Sequence, residues 1–126
     1  MRIFKNKSFG KFANKEGITD VKLCKVIKEI SDGKIDADYG GGVIKQRIAR
    51  PREGTSGGYR SIILFRKDEK AFFVYGYSKK TRENINDAEE KAFKKLAAET
   101  FRYTDQQIKK LIEDGIYKEV KNNDEI

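Results

Sequence analysis

The sequence contains no histidine and no tryptophan, and only one cysteine, one proline and one methionine among its 126 residues. Without histidine there is no imidazole acid–base pair, no Ser–His or Cys–His nucleophile and no His-ligated metal. The single cysteine, Cys24, excludes an intramolecular disulfide and a zinc cluster, and it points to the cytoplasm as the compartment. Its place among Val21, Ile27 and Ile30 in a helical pattern reads as a small buried hydrophobe. No apolar run approaches the ~20 residues of a membrane span, so no membrane partner is expected. Residues 1–12, MRIFKNKSFGKF, carry charge throughout and do not read as a signal peptide. Internal repeats, low-complexity segments and linkers are also missing, and the length fits one domain over 1–126.

What the chain has is positive charge. The formal net charge is +8, with 38% charged and 37% hydrophobic residues. A balance of this kind favours polyanionic partners through steering and counterion release. The charge is uneven. From Glu113 onward, Glu113, Asp114, Glu119, Asp124 and Glu125 face only Lys118 and Lys121, so the basic character belongs to the body of the chain. The apolar residues recur with helix and strand periods, which indicates a folded domain and not a disordered polyelectrolyte.

Phe9 and Phe12 predict a short helix over 6–15, with Gly17 as its stop. Thr19 or Asp20 caps a second helix to Ser31, with Val21, Leu23, Ile27 and Ile30 as its apolar stripe and Gly33 as its end. Residues 35–42, IDADYGGG, read as a loop. Val43–Arg50 alternates as a strand, 51–58 reads as a turn or flexible loop, and Tyr59–Arg66 and Ala71–Ser78 read as two strands joined by a KDEK hairpin. Asp87 with Glu90, and Thr104 with Gln107, mark the starts of two more helices, and Gly115 ends the second. A short extended segment, IYKEV, follows. The expected fold is therefore α+β: helices over about 6–32, an antiparallel meander over about 43–78, and helices over about 87–114.

The basic residues concentrate in the predicted sheet. VIKQRIARPREGTSGGYR, residues 43–60, holds Lys45, Arg47, Arg50, Arg52 and Arg60 against one acid, Glu53. Strand alternation puts Lys45 and Arg47 on one face, about 7 Å apart, a spacing that suits successive phosphates of a nucleic-acid backbone. Gly57 and Gly58 permit close backbone approach, and Arg60 then stands at the start of the next strand. Tyr59 and Arg60 point to opposite faces, and Arg60 is the one expected in the cleft. Lys79, Lys80 and Arg82 leave the third strand together, which antiparallel pairing brings back beside Arg60. Tyr75 and Tyr77 share a face and either stack on a base or fill the core. Such a cluster suits RNA, which carries its own nucleophile, the 2′-hydroxyl. The site has only to orient that oxygen, take its proton and neutralise the charge growing on phosphorus. Arginine suits the charge, and a lysine crowded by other cations suits the proton transfer. No metal and no cofactor is expected.

GGVIKQRIARPREGTSGGYRSIILF followed by FFVYGYSKKTRENI resembles the RelE/ParE superfamily of toxins from type II toxin–antitoxin modules, and within it the HigB-like branch. The resemblance spans about residues 40–100. It implies a small helix-covered antiparallel sheet and an mRNA endoribonuclease acting on the translating ribosome. It also implies a cognate antitoxin, often of helix-turn-helix type. By position, Lys45 and Arg47 match the basic residues of the first core strand, Arg60 the arginine that follows the glycines and stabilises the transition state, and Lys79 and Lys80 the basic pair closing the third strand. Arg50, Arg52, Tyr59, Tyr77 and Arg82 are the candidate RNA-binding residues. The chain departs from the family pattern in two places. Family members carry a tyrosine soon after the basic pair, where this chain reads TRENIN, and Lys80 stands where some relatives have arginine. The general base therefore stays open among Lys45, Lys79 and Lys80. Two other readings are a ParE-like inhibitor of DNA gyrase with the same fold and a non-catalytic RNA- or ribosome-binding module. The DAD of 36–38 reads as a polar loop, without the further acids a divalent-metal site requires.

Overall fold

The computed structural model describes residues 1–50 and 54–121, with side chains for all of these but 54–57. The elements in chain order are β1 (Arg2–Asn6), α1 (Lys7–Glu16), α2 (Asp20–Ser31), β2 (Ala37–Gly40), β3 (Val43–Arg50), β4 (Gly54–Arg66), β5 (Lys70–Ser78), α3 (Asp87–Thr100), α4 (Asp105–Glu113) and β6 (Tyr117–Glu119). The strands form one sheet of order β2-β3-β4-β5-β1-β6. β2 to β5 is an antiparallel meander, β1 lies parallel to β5, and β6 is antiparallel to β1. The fold is α+β, as expected, but the sheet is wider than the sequence indicated.

Three differences from the expected sheet have physical causes. Residues 1–6 form a strand and not a lead-in to a helix. Ile3, Phe4 and Lys5 are all buried, because β1 is an inner strand covered on both faces, so the period-two pattern of a half-exposed strand is missing. The 35–42 segment is not all loop: Ala37–Gly40 pairs with β3, and Gly40, Gly41 and Gly42 turn the chain at φ of 84°, 62° and 83°. Of the predicted 51–58 turn, residues 54–58 belong to β4, which begins at Gly54, and residues 51–53 lie outside the described residues.

Helices cover both faces. On one face, α1 and α2 bring Phe9, Ala13, Leu23, Val26, Ile27 and Ile30 onto Ile3, Ile44, Ile48, Tyr59, Ile63 and Phe73. On the other, α3 and α4 bring Ala97 and Ile108 onto Phe4, Val43, Ile62, Leu64 and Phe72. Each fully buried Phe or Leu contributes about 1.5–3 kcal/mol by leaving water. Val21 is not in the stripe predicted for α2. It is 63% exposed, because the buried face runs Leu23, Val26, Ile27, Ile30 and Val21 lies off it. The box starting α3 is Asn86 with Glu89, one residue before the predicted Asp87 with Glu90; the Thr104 and Gln107 box of α4 is as expected.

Candidate nucleic-acid interface

The register of the meander sets the site. Arg47 of β3 pairs with Arg60 of β4, and Arg60 pairs with Tyr77 of β5. Directly opposed residues of an antiparallel ladder project to the same face, so one cross-strand row holds two guanidiniums and a phenol. The neighbouring row is Lys45, Ile62 and Tyr75. α3 and α4 pack over the Val43, Leu64 and Phe72 part of this face. The row of Arg47 and Arg60 lies further along the strands.

Two like charges opposed across a ladder repel, and the chain supplies an anion between them. Asp36 Oδ1 lies 3.6 Å from Arg47 Nε, and its Oδ2 lies 3.8 Å from Arg60 Nε. Gln46 holds that segment in place. Its Oε1 accepts from the Asp36 N–H at 2.9 Å, and its Nε2 donates to the Lys34 carbonyl at 2.7 Å. The two arginines differ in access: the Arg47 side chain is 50% exposed and that of Arg60 is 7% exposed. Arg60 Nη1 also donates to the Tyr59 carbonyl at 3.3 Å. Lys45 is half-buried in the next row. Beyond Lys45, β2 no longer pairs with β3, and the β3 edge opens onto a groove of ≈ 660 Å³ toward α2 that Lys22, Lys25, Lys34 and Arg47 line.

Tyr77 is buried at 3% exposure, and its hydroxyl has no hydrogen-bond partner among the described residues. Burial, with Tyr39 adding to it, raises the pKa of this phenol above its ordinary value, although Arg60 and Arg82 oppose the shift. It therefore stays protonated at neutral pH. Its ring centroid lies 5.7 Å from that of Tyr75.

Arg82 is committed within the fold. Its guanidinium forks onto Glu89 at 2.6 and 3.0 Å, donates to the Tyr75 hydroxyl at 3.1 Å and lies over the rings of Tyr75 and Tyr77. Those bonds raise the Arg82 pKa, the Glu89 contact first. The same contact holds the Glu89 carboxyl below its ordinary range. Arg82 thus ties the loop after β5 to the start of α3.

Lys79 and Lys80 sit exposed in the turn that follows Ser78, the residue paired with Tyr59. Among the described residues neither forms an ion pair. They stand two and three residues past the Arg60 and Tyr77 row, roughly 7 Å along the strand for Lys79. Tyr59 and Arg50 are elsewhere. Tyr59 is buried on the α1 and α2 face, donates to Glu16 Oε2 at 2.8 Å and packs edge-on against Phe12. Arg50 lies over that ring at 5.5 Å. Neither shares the face of Arg60, and Tyr59, one of the candidate RNA-binding residues, is buried. Arg52 lies outside the described residues. The residue that the sequence reading passed over is Asp36, which was assigned to a loop. The half-buried Ala37 and Tyr39 alternating with exposed Asp38 and Gly40 were the available strand signal.

A family model described as the RelE toxin of the RelE / RelB toxin-antitoxin system matches residues 1–120. That span covers every element from β1 to β6, well beyond the 40–100 stretch that carries the motif resemblance. No curated protein matches the chain. No helix among the described residues is long and apolar enough to cross a membrane.

Proposed function

This chain belongs to the RelE toxin family, and on that premise we propose that it is a ribosome-dependent mRNA endoribonuclease that needs no metal. The family makes it the toxin of a toxin–antitoxin pair. The finer reading rests on one observation above all: the Arg47, Arg60 and Tyr77 row beside Lys45, with Lys79 and Lys80 at the strand end. Within the family, the motif pattern favours the HigB-like branch.

In the proposed reaction the 2′-oxygen of one ribose attacks the adjacent phosphorus. The new O2′–P bond forms as the P–O5′ bond breaks, leaving a 2′,3′-cyclic phosphate and a 5′-hydroxyl. The proton leaving the 2′-hydroxyl passes to a lysine, with Lys45, Lys79 and Lys80 as the candidates. A second, protonated lysine of the same set gives its proton to the departing 5′-oxygen. Arg60 and Arg47 neutralise the phosphoryl oxygens as charge builds on them, the place where preorganised donors act most strongly. The partners under this reading are the ribosome, its mRNA and a cognate antitoxin of helix-turn-helix type, in the cytoplasm.

The test is primer extension on a reporter mRNA in a bacterial translation extract, with and without a drug that blocks initiation. Codon-phased cuts that require translation are expected. Arg60→Ala is expected to abolish them, and Arg60→Lys to lower them by about a hundredfold or more, since lysine loses the planar fork. Arg60→Lys keeps the charge and most of the volume, so its loss is not a folding defect. A folded Arg60→Ala protein that cuts at the wild-type rate refutes the assignment. Inhibition of translation without cuts replaces it with the RNA- or ribosome-binding module. An effect on neither translation nor mRNA moves the target to DNA gyrase.

A further inference from the structure

The Tyr77 hydroxyl is a buried polar group without a partner among the described residues, and it stands where donors already outnumber acceptors. Its row neighbours on the same face are Arg60 and Arg47, which only donate. Arg82, 5.6 Å from the ring centroid, also only donates, and its bonds go to Glu89, Tyr75 and the Asn84 carbonyl. The carboxylate serving the row is Asp36. It meets both arginines at 3.6 and 3.8 Å, longer than a charge-assisted hydrogen bond. Asp36 thus holds both guanidiniums loosely, Arg60 keeping one further bond to the Tyr59 carbonyl, and the phenol hydroxyl is not held by any described residue.

A buried hydroxyl left unpaired costs stability, and phenylalanine in the same place would avoid the cost. This sheet uses phenylalanine at Phe72 and Phe73 of the same strand, both fully buried. The group missing at the Tyr77 end of the row, among the described residues, is an acceptor carrying negative charge. We propose that the Tyr77 hydroxyl is the third donor of a phosphoryl seat formed with Arg60 and Arg47, and that its ligand is a non-bridging oxygen of an RNA backbone phosphate. This deepens the nuclease reading and rests on it. The hydroxyl is covered in the free protein, and the phosphate reaches it as Arg60 transfers from Asp36 to the ligand. Because burial keeps the phenol protonated, Tyr77 donates throughout and does not serve as the base.

Tyr77→Phe removes the oxygen and nothing else. The melting midpoint of the purified variant is expected to stay level or rise, because no hydrogen bond is lost in the free protein. Its codon-phased cleavage is expected to fall about a hundredfold, by the same factor at pH 6 and at pH 9. Pyrophosphate titrated against the purified chains is expected to raise the melting midpoint of the wild type and to raise that of Tyr77→Phe much less. A Tyr77→Phe protein that cuts at the wild-type rate, beside an inactive Arg60→Ala, overturns the seat and leaves the nuclease standing. A midpoint several degrees lower in Tyr77→Phe also overturns the seat, because the hydroxyl would then have a structural partner. A wild type that cuts nothing refutes the nuclease reading instead. In that case the seat stands only if pyrophosphate separates the two chains, and it falls if the two shift equally.

Discussion

At the Arg47 and Arg60 pair, one carboxylate balances two guanidiniums that the ladder forces together. Exposed ion pairs contribute little, but here one member is nearly buried, so removing the anion leaves a poorly solvated charge. Asp36→Asn is expected to cost about 1–2 kcal/mol, read as a lower urea midpoint. Millimolar pyrophosphate is expected to recover part of that loss by taking the vacated position. An unchanged midpoint would show that Asp36 carries no load at this row. The sequence made Arg47 and Arg60 legible through their spacing. It could not make Asp36 legible, because a carboxylate in a loop becomes a bridging anion only once β2 is paired to β3.

The elements that local chemistry defines were the easiest to read. α1 starts at an Asn6 cap and ends at Gly17 with φ 70°, and α4 starts with a full capping box. How α1 docks depends on one glycine in β5. A Cβ at Gly76 would overlap the ring of Phe12 and press on Phe9, so the bare backbone there lets the helix lie close. Just before it, the pairing of β4 with β5 shifts between Ile62 and Ile63, and Asn6 Nδ2 donates to the Val74 carbonyl at 3.0 Å. Gly76→Ala is expected to destabilise the fold by about 2 kcal/mol in urea unfolding. Adding Phe12→Leu is expected to return part of the loss, because the clash is with the ring. Equal stability of wild type and Gly76→Ala would mean that α1 does not sit where it is described.

At the scale of the molecule, β1 and the C-terminal segment are tied together and to α2. Asp20 accepts from Lys5 Nζ at 2.9 Å and from the Lys121 N–H at 3.1 Å, and Arg2 forks onto Glu119 at 3.0 Å. Burial works to raise the Asp20 pKa, but the Lys5 and Lys121 bonds outweigh it and the carboxyl lies below its ordinary value. Glu89 is lowered as well, through Arg82. A depressed folded pKa means that the unfolded chain binds the proton first, so stability is complete above the unfolded values of roughly 4 and falls as pH drops through the folded ones. Melting midpoints are therefore expected to hold from pH 7 to about 5 and to fall below it. Asp20→Asn is expected to start lower at neutral pH and to fall less on acidification. An identical acid slope in wild type and Asp20→Asn would exclude this tie as a source of stability.

The sequence by itself determined the four helices to within a residue or so at their caps, the three long strands apart from the first five residues of β4, the hairpin at KDEK and the basic face that carries Lys45, Arg47 and Arg60. These follow from signals acting over a few residues: periodicity, capping side chains and turn glycines. Tertiary structure alone decided that residues 2–6 join the sheet as an inner parallel strand, because burial on both faces erases the alternation that marks a strand. It also decided which charges are free and which are engaged. Arg82 is locked to Glu89, Tyr59 faces away from Arg60, and Asp36 bridges two arginines. The last two depend on the register between segments distant in the chain, which no short-range pattern encodes, and the first on how the loop after β5 folds back onto α3.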